Sequence, residues 1–208
     1  MKLTELKVID FIDTLGSDAP APGGGSASAL IGSVGIALTR MVGALTLGKE
    51  KYREHDQLML EIIQSAEKLE KELAFSIDRD TEAFNGVSAV FTMPKETDQE
   101  KELRKFAMQV ALQEATLVPL RVMEYGLEAL ELTKKAIGKS NTNAASDLGV
   151  ASLALKAAVQ GAWLNVLINL GGIKDEGFVA KNKAQGEEIL NKALPMADEI
   201  YQEILKSL

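Results

Sequence analysis

Two stretches of the chain hold residues that could do chemistry. The first is Phe75-Ser76-Ile77-Asp78-Arg79-Asp80-Thr81-Glu82-Ala83-Phe84, three carboxylates and two hydroxyls inside a run that reads as helix. On a helix, positions 77, 80, 81 and 84 share a face, so Asp80 and Thr81 point with Ile77 and Phe84 while Arg79 and Glu82 point away. Asp80 is therefore the carboxylate most committed to burial. A partly apolar setting favours its neutral form and moves it toward the range where it can trade protons. The same position equally suits a structural pair with Arg40, Arg121 or another cation, and spacing by itself leans toward that pair. The second stretch is Pro20-Ala21-Pro22-Gly23-Gly24-Gly25-Ser26-Ala27-Ser28-Ala29, where fixed proline φ angles meet three bare glycines and a serine expected to cap the next helix. Free N–H groups at such a helix start can seat an anion or form the wall of a site. No Gly-Lys-Ser/Thr follows and no strand precedes, so the loop is not a phosphate cradle.

Other polar residues interrupt otherwise apolar sequence. Asp147 follows the capping-rich run Ser140 to Ser146, where a first-turn carboxylate favours the helix dipole. Lys156, Gln160, Trp163, Asn165 and Asn169 recur through an apolar helix and need partners once buried, so they either line a pocket or lock two helices. Trp163 reads first as core. Lys49, Lys51 and Arg53 form a basic cluster toward which an anionic tail could be steered. The chain has no cysteine and a single histidine, His55. Thiolate chemistry, Cys-ligated zinc, a His-rich metal site and a Ser-His-Asp triad are thereby disfavoured, and no metal site is expected. A net charge of −7 over 208 residues argues against nucleic acid as a partner.

The elements that must position these groups read as helices throughout. Leu3, Leu6, Ile9, Ile12 and Leu15 make a helical stripe with Thr4 as cap and Gly16 as stop. Helices are then expected over 26–47, over 55–90 with Leu58, Ile62, Ser65, Leu69, Leu73, Ile77 and Phe84 inward, over 98–137 with a kink at Pro119, and over 143–170. The last runs from Asp175 to Leu208, bent at Pro195. Ser28 and Gly32, with Ala29 and Ser33 beside them, give the second helix a smooth face for close packing. The expected fold is a single all-α domain over 1–208, an up-and-down bundle of long helices.

From Ala19 to Thr39 there is no charged side chain, yet two prolines and five glycines argue against a membrane span there. The N-terminus lacks a secretory pattern, so a cytoplasmic setting is the expectation. Two strongly apolar helices are more than one small bundle covers, which points to a homodimer or larger assembly.

Five segments in order, Ala21 to Ser26, Asp78 to Asn85, Ala115 to Leu120, Ser146 to Leu148 and Gly161 to Leu170, resemble the formiminotetrahydrofolate cyclodeaminase and methenyltetrahydrofolate cyclohydrolase family across nearly the whole chain. One departure is Ser140-Asn141 where relatives commonly have Gly-Asn. The resemblance implies an all-helical dimer that binds a reduced folate and needs no further cofactor. It carries the family's cyclodeaminase aspartate to Asp80, with Asp78 as its neighbour, and implies substrate contacts from Gly23, Gly24, Gly25, Ser26, Asp147 and Asn165. It implies conversion of 5-formiminotetrahydrofolate to 5,10-methenyltetrahydrofolate plus ammonia. The methenyltetrahydrofolate cyclohydrolase reaction, or a folate-binding helical dimer without catalysis, are the alternatives.

Overall fold

The computed structural model describes residues 2–208 and contains no strand among them. A single 3-10 turn, Leu3–Glu5, precedes six helices: α1 Val8–Leu15, α2 Gly24–Thr46, α3 Asp56–Phe91, α4 Asp98–Ala136, α5 Ala145–Leu170 and α6 Glu176–Ser207. The all-α reading holds, and the bounds of the five long helices α2 to α6 fall within two residues of those expected from periodicity.

Short links make successive helices antiparallel, and close approaches trace the registers. Gly25 meets Asp80, Gly32 meets Leu73 and Gly43 meets Ile63 between α2 and α3. Gly24 meets Asn165, Ser28 meets Gly161 and Gly35 meets Leu155 between α2 and α5. Helices α2 to α5 thus form an up-and-down bundle, and α6 packs on α4 and α5. Its centre is filled by Ile36, Leu73, Met123, Leu130, Leu155, Val159 and Ile200, each almost wholly buried. Small residues set the spacing: a Cβ on Gly35 would lie 2.9 Å from Leu155 Cγ, closer than packed atoms allow. Polar groups inside the bundle find partners, as with the Thr39 and Thr133 hydroxyls at 2.7 Å.

Several local expectations are corrected. The N-terminal stripe is not one helix, because Lys2 and Leu6 are extended and Thr4 caps nothing. Phe11 is the buried residue of α1, while Ile9 and Ile12 are exposed. Helix α2 starts at Gly24 with Gly23 as N-cap, so Ser26 lies within the first turn and its side chain is free for another use. Helix α4 begins instead with a full capping box between Thr97 and Glu100. Both Pro119 and Pro195 are accommodated inside continuous helices, so α6 is one element rather than two. Two segments, Gly24–Thr46 and Thr142–Leu170, and not only the expected 19–39 region, are long and apolar enough by length and composition to cross a membrane.

Candidate active site

The first turn of α2, the C-terminal third of α3, the centre of α4 and the last turns of α5 converge on a cleft of about 300 Å³. Gly23, Gly24 and Gly25 form one wall, with Pro20 and Ala21 leading into it; the Ala21–Pro22 peptide is cis. Phe84 and Val87 of α3 and Ile168 of α5 supply apolar surface suited to a flat ring. Three polar side chains point in: Asp80, Asn165 and Asn169.

Asp80 is seated by absence of bulk. A Cβ on Gly25 would fall on its carboxyl group, so only glycine lets α2 close over it. The Ser26 hydroxyl lies 3.0 Å from Asp80 Oδ2, 2.9 Å from the Ile77 carbonyl and 3.2 Å from Thr81 Oγ1. Its single proton can go to either acceptor. When Asp80 is ionised, Ser26 can donate to it; when Asp80 is protonated, the carboxyl can donate to Ser26, which turns its own proton to Ile77. The pocket thus accommodates both states of the acid without an orphaned group. Burial pushes the Asp80 carboxyl above the ordinary carboxylate range, and the Ser26 hydroxyl and N–H pull it partly back.

No cation balances this aspartate among the described residues. Arg40 is paired with Glu70 at 2.7 Å and Arg121 with Glu124 at 3.3 Å, which removes both candidates for a structural pair. Asn165 donates to the Gly161 carbonyl and Asn169 to the Ala115 carbonyl, each at 2.9 Å. These bonds fix the amides and leave both side-chain oxygens free to accept.

The remaining sequence candidates go elsewhere. Asp78 accepts from the Leu3 N–H and the Thr4 hydroxyl, fastening the N-terminal segment to α3 outside the cleft. Two residues along a helix turn the side chain through about 200°, which is why these neighbours part. Asp147 lies in the first turn of α5, about 27 Å of helical rise from Asn165, and takes no part in the cleft of its own chain. Lys156 pairs with Asp198 at 2.5 Å, and Trp163 packs on Gly186 of α6. The cluster at Lys49, Lys51 and Arg53 sits at the other end of α2, about 33 Å of helix away from the cleft, so it offers no seat for a tail leaving that cleft. Phe84, expected inward, is 40% exposed because it stands at the cleft. Ala115, Val87 and Ile168 were not legible as site residues. Only the Ala115 and Gly161 segments, picked out by resemblance, brought two of these helices to notice.

A sequence profile of the formiminotransferase-cyclodeaminase family matches residues 7–188. The chain is 38% identical over 194 residues to methenyltetrahydrofolate cyclohydrolase of Methylorubrum extorquens, covering 93% of both. It is 33% identical over 187 residues to formimidoyltransferase-cyclodeaminase of Rattus norvegicus, covering 90% of this chain and 35% of that one. The fold superposes on the crystal structure of formiminotetrahydrofolate cyclodeaminase from Thermotoga maritima with a TM-score of 0.82 and 29% identity, covering 100% of this chain and 98% of the other.

Proposed function

Because the chain belongs to the formiminotransferase-cyclodeaminase family, we propose that it is a folate one-carbon enzyme acting on the carbon between N5 and N10 of a reduced folate, with Asp80 as general acid and base. The observation that carries this reading is the uncompensated Asp80 carboxyl, raised in pKa and facing a cleft beside Ser26. In the cyclodeaminase direction, N10 attacks the carbon of the formimino group on N5 in its protonated, amidinium form, the C=N π pair moves to that nitrogen to leave an amino group, and a C–N10 bond forms. Ionised Asp80 takes the N10 proton. The protonated acid then returns a proton to the amino group, the C–N bond breaks, ammonia leaves and the 5,10-methenyl cation remains. A positioned group of this kind contributes on the order of 10²–10⁴-fold. Gly23 to Gly25, Asn165 and Asn169 hold the folate so that N10 faces the amidine carbon, and Phe84 and Ile168 cover the pterin or aminobenzoyl ring.

The methenyltetrahydrofolate cyclohydrolase reaction uses the same carbon, with water as nucleophile and N5 as leaving group. The Methylorubrum relative, matched over nearly its full length, favours this second reading. Incubating the protein with each folate separates them. Methenyl absorbance appears from 5-formiminotetrahydrofolate in the first case and only disappears from 5,10-methenyltetrahydrofolate in the second. No change with either supports a folate-binding protein without catalysis.

The proposal includes a homodimer in a cytoplasmic setting. Ile31, Val34, Met41 and Leu45 on α2, and Val150, Leu153, Leu164 and Ile168 on α5, are exposed. Their spacing places them on the same side of the antiparallel α2–α5 pair, as one apolar face. Ile168 belongs both to this face and to the cleft. A second copy on the face accounts for its extent better than open solvent, and the proposal includes no membrane, nucleic-acid or cofactor partner beyond the folate itself.

A further inference from the structure

The cleft brings together two oxygens of different character. Asp80 is the only titratable group among the residues that line it, and it borders Gly25, where a Cβ would fall on its carboxyl. Asn165 borders the preceding residue of the same turn: a Cβ on Gly24 would lie 3.4 Å from its Nδ2 and 3.8 Å from its Oδ1. An aspartate from α3 and an asparagine from α5 are thus carried to successive glycines of α2, and they flank one short strip of bare backbone. Asn169 stands one turn further along α5 and is tied to α4 through the Ala115 carbonyl.

The Asn165 amide has one favoured orientation. Nδ2 donates to the Gly161 carbonyl at 2.9 Å, and turning the amide over would set Oδ1 against that carbonyl with no hydrogen between the two oxygens. Among the described residues no protein donor reaches Oδ1, and it is not a buried orphan, so it is open to the cleft it lines. At this point the wall offers an acceptor that cannot become a donor, beside a carboxyl that can trade its proton. A ligand atom that carries hydrogens is favoured there, and a carbonyl oxygen is opposed.

We propose that Asn165 Oδ1 holds the small group exchanged at the one-carbon centre, the amino nitrogen that leaves in the cyclodeaminase reaction or the water that enters in the cyclohydrolase reaction. This inference rests on the folate reading of the cleft. In the first reaction the amino group formed by attack of N10 donates one N–H to Oδ1, which turns its lone pair toward protonated Asp80; the proton crosses, the C–N bond breaks and ammonia leaves. In the second, water donates one O–H to Oδ1 and the other to ionised Asp80. Its lone pair then faces the methenyl carbon, the C–O bond forms as Asp80 takes the proton, and the proton returns to N5 as the C–N5 bond breaks. Asp80 moves the proton in both cases, and Asn165 fixes the direction from which the exchanged group meets it.

The test separates this role from plain folate binding. 5-Formyltetrahydrofolate has a carbonyl oxygen where the amino nitrogen would be, so it gives Oδ1 nothing to accept. In Asn165→Leu, kcat for the folate that the protein turns over should fall about 10–10²-fold, the worth of one hydrogen bond to a charged partner, while Ki for 5-formyltetrahydrofolate stays within about twofold. Asn165→Asp keeps an oxygen in place and adds a carboxylate beside Asp80, so the acid limb of kcat/KM should move to higher pH. Asn169→Asp, one turn away, should move it less. Circular dichroism checks folding, and if Asn165→Leu does not fold, the pH profiles of the two aspartate variants decide. An unchanged kcat in Asn165→Leu, a Ki that rises in step with the loss of kcat, or equal shifts of the acid limb in the two aspartate variants overturns the inference and leaves the folate reading standing. If the wild type turns over neither folate, the folate reading fails and the inference falls with it.

Discussion

At the scale of single residues the decisive group is Asp80, and its environment has opposite consequences for activity and stability. Its folded pKa lies above its unfolded value, so its contribution to stability is fully present below the unfolded pKa and is lost as pH rises through the folded one. At any pH above the folded pKa the fold therefore carries a buried carboxylate with no cation beside it. Asp80→Asn should cut turnover of the preferred folate by 10²–10⁴-fold, while thermal unfolding at pH 8 moves to equal or higher temperature. A clear fall in melting temperature would instead indicate that the ionised carboxylate holds the helices together. With ionised Asp80 as the proposed base, the wild-type profile of kcat/KM should fall on the acid side at a pH above the ordinary carboxylate range. Gly25→Ala tests the seating of that base. Its methyl group would displace the carboxyl, and misplacement of this order costs about 10²-fold in kcat. Circular dichroism checks that the helices persist. The helical face of Asp80 could be read from spacing, since Ile77, Thr81 and Phe84 surround it in sequence. Its lack of a cation could not: the Arg121–Glu124 pair is local, three residues apart on α4, but Glu70, which occupies Arg40, is reached only through the packing of α2 on α3.

At the scale of elements, the bundle presents its helices to the cleft by different parts of their length: α2 by its first turn, α3 by its C-terminal third, α4 by its middle and α5 by its last turns. Helix existence was legible because strong 3.6-residue periodicity survives any packing arrangement. Helix starts were less so. Three glycines in a row suggested that the first polar side chain would cap α2, but Gly23 satisfies the N-cap geometry and releases Ser26 to reach α3. Leu3 and Leu6 looked like the first turn of a helix, yet they pack against the core from a 3-10 turn and an extended link. That link depends on Asp78. Replacing it with alanine removes two acceptor contacts, so Asp78→Ala should lower stability by about 1 kcal/mol. Cleavage by trypsin after Lys7 should become faster, with kcat changed less than twofold. Unchanged proteolysis would show that the apolar contacts of Leu3 and Leu6 suffice.

At the scale of the whole molecule, α2 and α5 are central to the bundle and still leave one side open. Their composition predicts burial on most sides, and a single copy provides only part of it. Val34→Glu with Leu164→Glu places charge on that face without touching the cleft. If the face joins two copies, light scattering should show about half the wild-type mass, and activity should drop with it because Ile168 is shared by face and cleft. An unchanged mass would leave the face without a second copy. Asp147 belongs to the same question of scale: no reading of one chain brings it near Asp80, so a role for it at the site could come only from a neighbouring copy.

Asp78 and Asp80 are separated by one residue on α3, one gripping Leu3 and Thr4 and the other facing the cleft. A fusion partner or bulky affinity tag attached ahead of Leu3 would pull on the helix turn that carries the cleft carboxyl. The exposed Leu208, at the end of α6, is the better handle for immobilising the enzyme or linking it to another.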